Sequence, residues 1–270
     1  MTELPDYFER IGYTGQNAPS LATLEGVFRS HIGAIPFENL DVQLGRPVSL
    51  DLAAIRKKLI AERRGGWCFE QNGLLGWALA QMGFTVRRVS GGVLRSMNGD
   101  AALGNHLALI VTIDRPYLVD AGFGGSLAAP IPLAEGSHDH EPFKLTLTKL
   151  DGGFWRFEEQ LGDAPFNFDF RDEPADEDLF ARQCAWLQTD PGSPFVNNLV
   201  AQRRVGALHR VLRGRVFSTA GPEGQTSQVL DDADALVSVL RDHFALNVPE
   251  ITQLWPAICA RHQEVTASRS

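Results

Sequence analysis

Apolar residues recur at helical spacing through the first third of the chain. Leu21, Leu24, Phe28 and Ile32 share one face after Pro19-Ser20, a helix start. A second helix is expected from about Leu52, with Ile55 and Leu59 on one face and an end near Gly65-Gly66. A third is expected from about Cys68, with Leu74, Leu75, Ala78, Leu79 and Met82 as its apolar face and Gly83 as its stop. The pattern then changes. Thr85–Val89, His106–Ile113 and Tyr117–Asp120 are short β-branched or apolar runs, and Asp114-Arg115-Pro116 is a turn that makes a hairpin of the last two. Phe143–Thr148 and Phe154–Glu158 flank Asp151-Gly152-Gly153, a second hairpin signal. Further on, Asp176–Leu187 reads as a helix, Thr189–Pro194 as a turn-rich link, Val205–Ser218 and Gln225–Leu230 as strands, and Asp231–Phe244 as a helix. The residues from about Gln263 are polar and are expected to fray. Helices first, strands next and a mixed end predict an α+β protein of about three subregions.

Composition narrows the function classes. The 270 residues carry a formal net charge of −8 with the acidic residues scattered, which argues against nucleic acid or an anionic membrane as a main partner. The three cysteines, Cys68, Cys184 and Cys259, include no C-x-x-C pair, so a zinc ribbon and a thioredoxin-type motif are excluded. A disulfide framework is not expected, and a reducing compartment fits. The N-terminus lacks the basic start and apolar run of a signal peptide, and no stretch is long and apolar enough for a membrane span. A soluble cytoplasmic protein is expected.

The candidate chemistry begins at Arg64-Gly65-Gly66-Trp67-Cys68-Phe69-Glu70. A thiol at a helix N-terminus meets the positive end of the peptide dipole, which stabilises the reactive thiolate. Alone, Cys68 is equally well read as a buried structural thiol. Cys184 and Cys259 lack such a setting. A thiol nucleophile needs a base, and the base an orienting group. His106 opens the apolar run after Asn105, and Asp120 closes the neighbouring strand before a glycine turn. Either could be structural. If the hairpin forms, they lie on paired strands at similar distances from the turn and can stand side by side. His138 and His140 fall in an acidic stretch at 135–141 that reads as a solvated loop rather than a metal site. Glycines 122, 124 and 125 do not form a dinucleotide fingerprint and read as a loop where a ligand approaches the backbone.

These segments resemble the arylamine N-acetyltransferases. RGGWCFE is similar to that family's R-G-G-x-C-x-E signature, and IPFENLD at 35–41 to its I-P-F-E-N-L segment. Asn105-His106-Leu107 resembles its histidine strand, VDAGFGG at 119–125 its aspartate segment, and Ser193-Pro194-Phe195 its S-P-F segment. The resemblance implies a cysteine-protease-like Cys-His-Asp core built from Cys68, His106 and Asp120. It implies a helical bundle over 1–84 carrying the cysteine, an antiparallel β-barrel-like domain over 85–190 carrying the histidine and aspartate, and a linker with an α/β lid over 191–270. It implies ping-pong transfer of an acetyl group from acetyl-CoA, through an acetyl-Cys68 thioester, to an arylamine or arylhydrazine nitrogen, with no metal. Phe37 and Phe123 match the family's acceptor-pocket aromatics. Asn105 stands where relatives often have Thr or Ser and would alter polar contacts to acceptor or cofactor. Gly124 and Gly125 would be approach points for the pantetheine arm of CoA. The family binds CoA in more than one way, so phosphate contacts do not carry over, and the oligomeric state is open between monomer and homodimer.

Two other readings compete. A transglutaminase-like acyltransferase or other cysteine acyl hydrolase would use the same three residues. A non-catalytic binding protein of this fold would need none of them.

Overall fold

The computed structural model describes residues 3–161 and 164–267. The helix Leu21–Ala34 begins where expected, with the Ser20 hydroxyl accepting from Thr23 N–H. The helix Cys68–Gln81 also begins at its expected residue. The intervening helix differs from expectation. It is α-helical only over Leu52–Arg56, widens into a π turn over Lys57–Ala61 and stops before Gly65. The two glycines do not end a helix; they permit close packing. A Cβ on Gly65 would collide with the Pro36 carbonyl, and one on Gly66 would sit 2.6 Å from a Glu70 carboxylate oxygen.

The central sheet has eight antiparallel strands in the order Ile131–Pro132, Pro116–Val119, Leu103–Thr112, Thr85–Val93, Ala164–Arg171, Phe154–Leu161, Phe143–Lys149 and Gly136–His140. Its two edge strands, Ile131–Pro132 and Gly136–His140, are joined by only residues 133–135. A link that short spans at most about 14 Å, whereas a flat sheet of this width would separate its edges by about 34 Å. The sheet therefore curls into a nearly closed barrel. Both expected hairpins form. The stretch expected as an acidic loop at 135–141 is an edge strand instead, with Asp139 opposite Lys144.

A second sheet orders Phe37–Glu38, Val200–Val205, Leu208–Arg213, Val216–Gly221 and Gly224–Val229. The run expected as one strand over Val205–Ser218 is thus broken into three. The breaks fall at Gly206 and Gly214, whose φ values of 60° and 57° suit reversals that alternating hydrophobicity does not reveal. The helix Ala233–Phe244 covers this sheet through Leu236, Leu240 and Phe244 against Leu212 and Phe217. The expected fraying from Gln263 is not seen through residue 267, because Trp255–Ala267 is a helix; residues 268–270 lie outside the described residues.

The first strand of the second sheet comes from the N-terminal segment, and Asn39 fixes it there. Its amide donates to the carbonyls of Phe195 and Asn198, both at 2.8 Å, and its oxygen accepts from Val200 N–H at 2.8 Å. Beside it lies a buried charge network. Arg64 contacts Glu38 and Asp41, each at 3.1 Å, while Lys58 contacts Asp41 at 2.7 Å and Glu70 at 2.8 Å. Glu70 in turn accepts from Trp67 N–H, capping the cysteine helix. The segments 35–41 and 64–70 are therefore one contact set.

Removing Arg64 would leave two acidic side chains short of a partner in a largely buried place. Arg64→Ala is expected to cost about 3 kcal/mol or more in urea unfolding. A loss below about 1 kcal/mol, the ordinary worth of a surface pair, would contradict this account of the network.

Candidate active site

Cys68 is the first residue of its helix and is 3% exposed. Its thiol lies 3.8 Å from the main-chain carbonyl of Asn105, and Cys68 is close enough to the His106 imidazole to raise its basicity. His106 is buried in the strand Leu103–Thr112. Its Nε2 is 2.7 Å from Asp120 Oδ2, which leaves Nδ1 for the cysteine. Sequence reasoning brought these two strands together, and the register refines how. Leu109 pairs with Val119, so Ala108 would stand opposite Asp120. His106 lies two residues beyond Ala108 on the same face, a diagonal neighbour within side-chain reach.

Asp120 is buried and accepts three hydrogen bonds. Besides His106, they come from Asn72 Nδ2 at 2.7 Å and Gly122 N–H at 2.8 Å. Asn72 also donates to the Leu107 carbonyl at 2.5 Å and accepts from Ala121 N–H at 2.9 Å. Sequence analysis missed Asn72. The available signal was a polar residue four places after Cys68, on the same side of a helix with an otherwise apolar face.

Burial alone would make His106 less basic. The Asp120 carboxylate outweighs this, with the neighbouring Cys68 adding to it, and pushes the imidazole up to about 10. By contrast, burial pushes the Cys184 thiol up to about 12, away from the reactive range.

Phe123 packs edge-on to His106 at 5.4 Å. Phe37 lies next to Phe195 at 6.2 Å, and Phe195 next to Trp67, the residue before Cys68, at 5.4 Å. Asn105 approaches Cys68 only through its main chain. Its side-chain amide instead pairs with the Val93 backbone, at 2.8 Å and 3.4 Å.

The glycine loop is held from the second sheet. Gly124 and Gly125 have φ of 97° and 96°, which favours glycine at both. His209 Nε2 donates to the Gly124 carbonyl at 2.7 Å, and Arg204 donates to the carbonyls of Gly125 and Ser126 at 3.1 Å and 3.2 Å. A Cβ on Gly124 would collide with Gln202, and one on Gly122 would lie 2.6 Å from Cys68 Cα. The close approaches that these glycines permit are thus made to the protein's own strands and to Cys68. Among the described residues, no group of three or more His, Cys, Asp or Glu side chains could hold a metal ion, and no helix is long and apolar enough to cross a membrane.

Comparison with known proteins agrees in both sequence and fold. A family profile described as N-acetyltransferase matches residues 20–253. The arylamine N-acetyltransferase of Mycobacterium tuberculosis is 34% identical over 261 residues, covering 92% of this chain and 91% of its own. That of Mycolicibacterium smegmatis is 35% identical, covering 92% of this chain and 94% of its own. The structure of Mycobacterium marinum arylamine N-acetyltransferase in complex with CoA superimposes with a TM-score of 0.85 at 33% identity, covering 96% of this chain and 98% of that one. This chain belongs to the arylamine N-acetyltransferase family.

Proposed function

We propose that this protein moves an acetyl group from acetyl-CoA to the nitrogen of an arylamine or arylhydrazine in the cytoplasm, with Cys68 as the covalent carrier. The observation that carries the reading is the buried line from Cys68 through His106 to Asp120, at the start of a helix. The Mycobacterium marinum relative solved with CoA supports the choice of donor.

In the first half-reaction the Cys68 thiolate attacks the thioester carbonyl carbon of acetyl-CoA. The C–S bond to CoA then breaks, and the departing sulfur takes the proton held by His106. Free CoA and acetyl-Cys68 result. Main-chain N–H groups of the first helical turn supply donors for the intermediate oxyanion. In the second half-reaction the acceptor nitrogen attacks acetyl-Cys68. His106 accepts the proton that the nitrogen must lose, and Cys68 departs as thiolate. Asp120 fixes the imidazole and favours its protonated form. Asn72 is a positioning residue, since it acts only through Asp120 and the Leu107 and Ala121 backbone. Phe123 and Phe37 supply apolar faces for the acceptor ring. Gly124 and Gly125 contribute through the shape of the loop that carries Phe123. In this reading residues 1–84 supply the nucleophile, 85–190 the base and its partner, and 191–270 the cover that clamps the glycine loop.

Mixing the protein with acetyl-CoA and no acceptor should give one acetyl adduct by intact mass, absent from Cys68→Ala. An arylamine should then discharge it. A wild type with a reactive thiol and no adduct would contradict acetyl transfer. An adduct that water removes as fast as an arylamine does would favour the cysteine hydrolase.

The raised basicity of His106 sets a pH window. An unfolded histidine titrates near 6.5, so the stability gained from His106 is fully present below that pH and is lost as pH rises through about 10. Nitrogen NMR of the imidazole in the unacetylated protein should therefore report the protonated ring at pH 8. A neutral ring at that pH would overturn the pairing.

A further inference from the structure

Next to the candidate site, the inner face of the barrel carries four side chains in a square. On the paired strands Phe154–Leu161 and Ala164–Arg171, Phe157 stands opposite Phe168, and Glu159 opposite Phe166. The two-residue alternation of strands puts all four on one face. Phe123 covers the square. Its ring centroid is 5.7 Å from Phe157, 4.9 Å from Phe168 and 5.0 Å from Phe166. Phe168 also reaches His106, with centroids 4.6 Å apart. Three corners are thus aromatic, and one of them, Phe168, adjoins His106. The fourth is a carboxyl.

That carboxyl is poorly satisfied. Glu159 Oε2 is buried without a well-formed hydrogen bond among the described residues, and the Ser126 hydroxyl beside it is the donor that acts on this carboxyl. Burial pushes the Glu159 carboxyl up to about 8, with Ser126 opposing the shift and the Asp120 charge adding to it. A buried acceptor without a well-formed hydrogen bond is costly, and a donor arriving with a bound molecule would relieve it. This corner reaches the surface, with Phe166 39% exposed and Glu159 half-buried, although Glu159 Oε2 itself is covered. Aromatic faces attract a cation, and a cation bound beside Glu159 would draw off the proton that burial keeps there and pair with the resulting carboxylate. A negatively charged group in the same place would meet Glu159 and, behind it, Asp120.

We propose that Glu159, at the corner beside Phe166 and Phe123, determines acceptor specificity by favouring arylamines whose ring carries an ammonium group over those whose ring carries a carboxylate. This rests on the acetyl-transfer reading and extends it to the acceptor.

The test uses the full-length protein, first charged with acetyl-CoA and checked for the acetyl adduct by mass. Discharge is then followed with 4-(aminomethyl)aniline, 4-aminobenzoate and, as the neutral reference, 4-methylaniline. In the wild type the ammonium-bearing acceptor should show the lowest KM and the carboxylate the highest. Glu159→Gln should cut the ammonium-to-carboxylate ratio of kcat/KM by about tenfold or more, the size of a lost charge-assisted hydrogen bond. A wild type with the lowest KM for 4-aminobenzoate would overturn the proposal, as would a ratio that moves less than about twofold in Glu159→Gln. A wild type that takes up no acetyl group would count instead against acetyl transfer itself. Uptake with an unchanged ratio would count against Glu159 alone.

Discussion

The Asp120 carboxylate is removed from water and is held by groups from three separate stretches of chain. Asn72 comes from the cysteine helix, His106 from the histidine strand and the Gly122 N–H from the loop that follows. A buried carboxylate stripped of these partners would cost several kcal/mol or take up a proton. The three partners must therefore arrive together. That requirement locks the start of the cysteine helix against the sheet, which places Cys68 on His106. The same loop then extends to Phe123 and to the glycines clamped by Arg204 and His209. The geometry of the site follows from satisfying one anion.

A second layer of buried charge supports the first. Glu38, Asp41, Lys58, Arg64 and Glu70 link the segment before the cysteine to the strand at Phe37–Glu38. Glu70 also caps the cysteine helix, so this network bears on the orientation of the first helical turn. Gly65 and Gly66 have no room for side chains, because Pro36 and Glu70 fill the space. The residue order of both recognisable segments thus has a packing reason as well as a chemical one.

Much of this was legible in the sequence. Helical spacing gave the starts of the Leu21 and Cys68 helices, and turn chemistry gave both hairpins, because these signals are local. The approach of His106 to Asp120 followed from the hairpin, although only the register shows that the contact is diagonal. Interactions between distant segments were not legible. Asn72 looks like an ordinary polar residue until Asp120 arrives opposite it. Gly206 and Gly214 interrupt a strand-like run without changing its alternation. The strand Ala164–Arg171 carries no clear local signal, and its Phe166 meets a partner, Phe123, that lies 43 positions earlier in the chain. The sequence around Gly124 and Gly125 cannot show that the strands carrying Gln202, Arg204 and His209 pack against this loop.

The orienting role of Asp120 can be tested separately from folding by a substitution that keeps its shape. The most direct measurement is the exchange of isotopically labelled CoA into acetyl-CoA with no acceptor present, which needs acetyl-Cys68 to form and reverse. The wild type should catalyse exchange, and Asp120→Asn, verified as folded, should be slower by about a thousandfold, as expected when the carboxylate that orients a catalytic histidine is lost. Exchange by Asp120→Asn within about tenfold of the wild-type rate would contradict the view that this buried anion organises the site.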